Sequence, residues 1–185
     1  LSWITGTAPD TGYYSANAVV WTGSQFVMVG DQDFGSPQPP MIATSPDGST
    51  WTRRSWTPGT ETALVDVAVG GGKLTVVGAN GKVASSGDGG VTWSSETVSG
   101  VAAFTGVAGN AGTRVAVGRD AGYNGVVLVD GGSGWQAASG ITGFYPADVT
   151  WTGSQFVAVG GSFAGSPILT PRPPVRRYSS AAPTS

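Results

Sequence analysis

The heptapeptide WTGSQFV occurs at Trp21–Val27 and again at Trp151–Val157. Identical phrases 130 positions apart in a chain of 185 residues mean internal repetition, which constrains architecture before any propensity is weighed. The phrase extends to WTGSQFVMVG, ending at Gly30, and WTGSQFVAVG, ending at Gly160. Two degenerate copies lie between, VGGGKLTVVG ending at Gly78 and AGNAGTRVAVG ending at Gly118. The closing glycines are 48, 40 and 42 residues apart, so the chain holds four units. In each, an apolar run such as NAVVW or DVAV passes through a Gly-containing turn into QFVMVG or KLTVVG. That is the pattern of two strands joined by a tight hairpin. A third short strand follows: MIATS, KVASS, VVLV or PILT. No apolar period of 3.6 residues is present, so no long helix is expected.

Units of 40–48 residues built from short antiparallel strands predict an all-β chain, a β-propeller of four antiparallel blades. Composition agrees: 31 Gly and only 11% charged residues suit short strands and tight turns. The chain has no Cys and no His, which excludes disulfides, thiolate metal sites and any imidazole mechanism, the Ser-His-Asp triad included. A net charge of −2 gives no reason to expect nucleic acid, and no apolar run approaches the roughly 20 residues of a membrane-spanning helix. The chain opens at Leu1 without a signal-like segment and reads as a processed form. Two Lys in a Gly/Ser/Thr-rich chain suggest an extracellular or cell-surface location.

Two segments carry a more specific signal. Ser45–Trp51 reads SPDGSTW and Ser86–Trp93 reads SGDGGVTW. They resemble the Asp-box, or BNR repeat, with its S-x-D-x-G-x-T-W pattern; the second matches fully and the first is one residue shorter before Trp51. A third, VDGGSGW, keeps Asp130, Gly131 and Trp135. The resemblance, to the repeats of sialidase- and sortilin-type propellers, implies a β-propeller fold over residues 1–170 and no single activity. It implies structural roles for Ser45, Asp47, Gly48, Trp51, Ser86, Asp88, Gly90, Trp93, Asp130 and Trp135. A short Asp side chain accepts bonds from its own turn, Gly supplies positive φ, and Trp buries a large aromatic surface.

The fourth unit lacks such a box. After SPILT the chain continues PRPPVRRYSSAAPTS, a Pro/Arg/Ser-rich tail over 171–185 that reads as extended or disordered. At the other terminus, Trp3 precedes Gly30 by 27 residues, as Trp51 precedes Gly78. Trp3 therefore stands where a box Trp should stand, and the N-terminal strand is expected to complete the last blade beside Ile168 and Leu169. Closure in cis gives a four-bladed ring; closure with a neighbouring chain gives a homodimer or a fibre. A piece of a longer propeller is a further reading.

Ligands of such a propeller are expected on the face formed by the loops that enter each first strand and those between second and third strands. Those loops carry Tyr13, Tyr14, Phe34, Tyr123, Phe144 and Tyr145, beside Asp31, Asp33, Arg119, Asp120 and Asp148. Aromatic platforms beside carboxylates suit a glycan or a protein partner, and also suit packing beneath the loops. The arginine cluster and F/Y-R-I-P motif of sialidases are absent; only Arg114 and Arg119 are expected near the axis, and Glu61 and Glu96 are the only Glu. No catalytic residue, metal site or cofactor is assigned. The reading is a non-enzymatic extracellular scaffold or binding propeller that can self-assemble by strand donation. The alternative is a lectin-like propeller, with a glycoside hydrolase fragment third.

Overall fold

The computed structural model describes residues 2, 5–7, 9, 14–32, 40–58, 63–96, 98–139, 141–162 and 168–171. They form an all-β fold of four antiparallel sheets. Sheet 1 comprises β1 (Tyr14–Trp21), β2 (Phe26–Gln32), β3 (Met41–Ser45) and β4 (Thr52–Arg53). Sheet 2 comprises β5 (Leu64–Gly70), β6 (Lys73–Gly78), β7 (Val83–Ser86) and β8 (Ser94–Glu96). Sheet 3 comprises β9 (Ala103–Gly109), β10 (Arg114–Arg119), β11 (Gly125–Asp130) and β12 (Gln136–Ala137). Sheet 4 has three strands, β13 (Phe144–Trp151), β14 (Phe156–Ser162) and β15 (Ile168–Leu169). Each sheet is a simple meander in chain order, so the sequence repeat is the sheet repeat.

The repeated TGSQ is the hairpin. Thr22 Oγ1 accepts from the Gln25 amide at 3.1 Å and donates to the Gln25 carbonyl at 2.9 Å; Thr152 makes the same pair with Gln155. Gly23 (φ 97°) and Gly153 (φ 94°) take the left-handed conformation that the turn needs. The glycine that closes each phrase has a different cause. The first strand bulges toward it, so a Cβ on Gly30 would sit 1.8 Å from the Ser15 carbonyl oxygen. On Gly78 it would meet Ala63 O at 2.2 Å, and on Gly160, Tyr145 O at 2.0 Å.

Alternation along the second strands assigns one face of each sheet to the preceding sheet and the other to the following one. Val27, Val29 and Ile42 of sheet 1 pack on Leu64, Val67, Leu74, Val76 and Trp93 of sheet 2. Ala68, Val77 and Val83 meet Phe104, Val107, Ala116 and Leu128. Val115, Val117 and Val127 meet Phe144, Val149 and Ala158. The core is thus three joints in series, each fully buried branched side chain contributing about 1.5–3 kcal/mol.

The sheets form an arc. Contacts run from sheet 1 to 2, 2 to 3 and 3 to 4, and among the described residues sheets 1 and 4 share no substantial contact. Thr7 pairs in parallel with Thr50, its amide donating to Ser49 O at 2.6 Å, so the N-terminal segment is fastened to sheet 1. The residue expected to complete sheet 4, Trp3, lies outside the described residues, as do residues 172–185 of the tail.

Candidate functional site

The two rims of the arc differ. One carries the hairpins and the SPDGSTW and SGDGGVTW turns. In the first, Asp47 Oδ1 accepts from the amides of Ser49 (2.8 Å) and Thr50 (3.1 Å), and Ser45 Oγ accepts from Gly48 N (2.9 Å). In the second, Asp88 accepts from Val91 N, Thr92 N and Thr92 Oγ1, and Ser86 Oγ from Gly90 N (2.8 Å). Trp51 and Trp93 donate Nε1–H to the Gly48 and Gly90 carbonyls, both at 3.1 Å. The bonds from Thr50 and Ser49 hold the Asp47 carboxyl well below the usual carboxylate range, and those from Thr92 do the same for Asp88.

The third turn is built otherwise. Ser45 pairs with Phe26 and Ser86 with Leu74, while Asp130 pairs with Arg114, so Asp130 stands in the place of the serine. Its Oδ1 accepts from Gly132 N (2.7 Å) and Gly134 N (2.9 Å), the latter bond matching Ser86 to Gly90. The sequence reading that aligned Asp130 with Asp47 and Asp88 is corrected by this register.

Arg114 takes the place of Phe26 and Leu74, so a guanidinium enters an apolar position between sheets 2 and 3. Its Nη1 and Nη2 clamp Glu96 at 2.9 and 3.1 Å, Nη1 also donates to Thr75 Oγ1 at 2.9 Å, and Nη2 pairs with Asp130. Its guanidinium lies 4.8 Å from the Trp135 ring centre, and Trp135 Nε1 donates to Glu96 at 2.5 Å. Burial opposes charge here, but the bonds from Arg114 prevail and hold Glu96 and Asp130 below their ordinary range. A cleft of about 630 Å³ opens beside this cluster, lined also by Lys73 and Gly71. Arg114, expected near the axis, instead locks a joint at the hairpin rim. A charge at a position apolar in the sister repeats was the available signal for a buried partner.

The opposite rim carries the loops expected to bind. Tyr13, Phe34 and Asp33 lie outside the described residues. Tyr14 and Tyr145 begin β1 and β13, at the two ends of the arc, and are not brought together. Phe144 is 5% exposed and belongs to the joint of sheets 3 and 4, so its ring is core and faces no ligand. Tyr123 is 67% exposed, with the Arg119 guanidinium 4.5 Å from its ring centre. Its turn is held by Asp120, which accepts from the Asn124 amide at 2.8 Å and side chain at 2.9 Å. Gly125 brings this turn against the Phe144 backbone, where a Cβ would meet Phe144 O at 1.8 Å.

Asp66 and Asp148 follow the bulges of β5 and β13. Asp66 Oδ2 accepts the Val107 amide of sheet 3 at 2.8 Å, a bond between sheets that sequence reading missed, and burial pushes its carboxyl upward. Asp148 Oδ1 accepts Val149 N at 2.7 Å. Asp31 Oδ2 accepts from Asn17, and its Oδ1 is buried without a partner among the described residues.

Among solved structures, YCF48 bound to D1 peptide is similar over 86% of this chain and 54% of its own, with TM-score 0.63 and 16% identity. A nidogen/laminin complex matches 80% of this chain and 57% of that one (TM-score 0.62, 12% identity). A phage phi92 endosialidase matches 80% and 30% (TM-score 0.56, 14% identity). The chain has a β-propeller fold. It spans little more than half the length of the first two propellers. No family model and no curated protein matches the sequence.

Proposed function

We propose that the chain is a non-enzymatic scaffold or binding propeller of the Asp-box type, working outside the cell, that holds a protein partner on its loop rim and assembles with itself by strand donation. The observation that carries this reading is how the described ionisable side chains are used. Asp47, Asp88 and Asp120 hold turns, Asp66 bonds the next sheet, and Arg114, Glu96 and Asp130 lock a joint. The exposed Tyr123–Arg119 pair is left on the rim, the amphipathic kind of surface that anchors protein interfaces. Similar propellers seen with a D1 peptide and in a laminin complex support a polypeptide partner.

A displayed-peptide selection against the immobilised chain tests it. Selected peptides should bind the wild type and lose at least about tenfold in affinity to Tyr123→Ala. Glycan-array binding that Tyr123→Ala abolishes, with no peptide selected, would replace this reading with the lectin one, which the exposed tyrosine beside Asp120 and Asn124 also favours. Turnover of fluorogenic glycosides would overturn the non-enzymatic assignment.

A further inference from the structure

We propose that the open end of sheet 4 receives the N-terminal strand of a second copy, whose Trp3 fills the apolar cleft between sheets 3 and 4. The inference deepens, and rests on, the self-assembly part of the proposed function.

Each earlier joint is sealed by the tryptophan that precedes a fourth strand. Trp93, 4% exposed, packs with Val27, Val29 and Ile42 at the first joint, and Trp135 packs against the second cluster. Sheet 4 has no fourth strand among the described residues, and at its joint a cleft of about 710 Å³ lies open. Val115, Val127, Phe156 and Leu169 line it. Val115 and Val127 occupy in sheet 3 the positions of Val27 and Ile42 in sheet 1, so this wall is the one on which Trp93 packs at the first joint.

Trp3 is the one tryptophan at the right spacing without such a joint, 27 residues before Gly30 as Trp51 is before Gly78. The chain's own Trp3 is ill placed to reach the cleft. Thr7 is bonded to Ser49 at the far end of the arc, four residues span at most about 14 Å, and sheets 2 and 3 stand between. A second copy also completes the joint beyond. Val27, Val29 and Ile42 are fully buried under sheet 2, whereas Val159 and Ile168, the equivalents of Val29 and Ile42, are 45% and 54% exposed. The complementary face of sheet 1 exposes Val19 and Trp21, equivalents of the Val149 and Trp151 that β13 contributes to sheet 4. Two arcs joined head to tail, twice, close a ring of eight sheets.

The register is set by the sister sheets. The residue after the tryptophan pairs with the third strand as Thr52 with Thr44 and Gln136 with Val129. The same rule sets Ile4 opposite Thr170 and Thr5 opposite Leu169. Because the chain has no cysteine, this can be read directly. Chains carrying Ile4→Cys and Thr170→Cys, mixed and oxidised, should give a disulfide-linked heterodimer, and the pair shifted by two residues, Gly6→Cys with Thr170→Cys, should give far less. Light scattering of the wild type should give the mass of two chains, and Trp3→Ala should weaken the dimer at least about tenfold while each chain stays folded by circular dichroism. Oligomers without the cross-link would keep self-assembly and overturn this socket and register. A monomer at all concentrations would overturn both. A chain bearing both cysteines that cross-links within itself would overturn the second copy as occupant.

Discussion

Asp130 shows how one residue can keep a turn and change its meaning. Standing where its sister turns have serine, it holds the same backbone amide and adds a charge that Arg114 answers. Removing Arg114 leaves two largely buried carboxylates facing each other, so Arg114→Ala should cost about 3–5 kcal/mol in urea unfolding. The triple variant Arg114→Leu, Glu96→Gln, Asp130→Ser, which brings in the leucine and serine that sheet 2 carries at these positions and removes the remaining charge, should recover most of that loss. Asp47 and Asp88 act without a cation. Their folded pKa values are depressed, so their contribution is present above the unfolded carboxylate value of about 4 and is lost as pH falls through the folded value. Carboxyl carbon NMR should find both titrating at lower pH than the other Asp residues. Their turns were legible in the sequence because S-x-D and Trp sit in fixed order. The role of Asp130 was not, since VDGGSGW aligns equally well one way or the other until strand register decides.

At the scale of elements, the repeat announced most of the structure. TGSQ marked the hairpins, and the alternation in QFVMVG marked which face meets which sheet. The closing glycine was visible as a pattern without a cause, because its cause is the bulged strand beside it. Gly118→Ala would bring a Cβ to 2.2 Å from Ala103 O and should destabilise by about 3 kcal/mol or more. Gly112→Ala and Gly131→Ala, which meet nothing within 4 Å, should stay within about 0.5 kcal/mol in the same denaturation assay. The candidate aromatic face was legible only in part: equal motifs TGYYSAN and TGFYPAD suggested equal surfaces, yet Phe144 turned inward once a neighbouring sheet covered it.

Across the whole molecule, four units predicted four sheets, and four sheets formed. What the sequence could not supply is the angle between successive sheets, which decides whether four units close or stop as an arc. That angle is set by the summed shapes of three apolar joints and has no local signature. If a second copy completes the ring, folding is linked to concentration, and the melting temperature should rise with each tenfold increase in protein, as calorimetry would show. Trp3→Ala should flatten that dependence.

The three joints are not equivalent, and this gives the arc two distinct ways to fail. Among the described residues the ion pairs, Arg114 with Glu96 and Asp130 and Lys73 with Glu96, all sit at the middle joint, while the outer joints rely on hydrocarbon contact. Heat and denaturant should therefore peel the molecule from its tips, where each terminal sheet has one neighbour. Acid strong enough to protonate Glu96 and Asp130 should instead part it at the waist, leaving two halves of two sheets each.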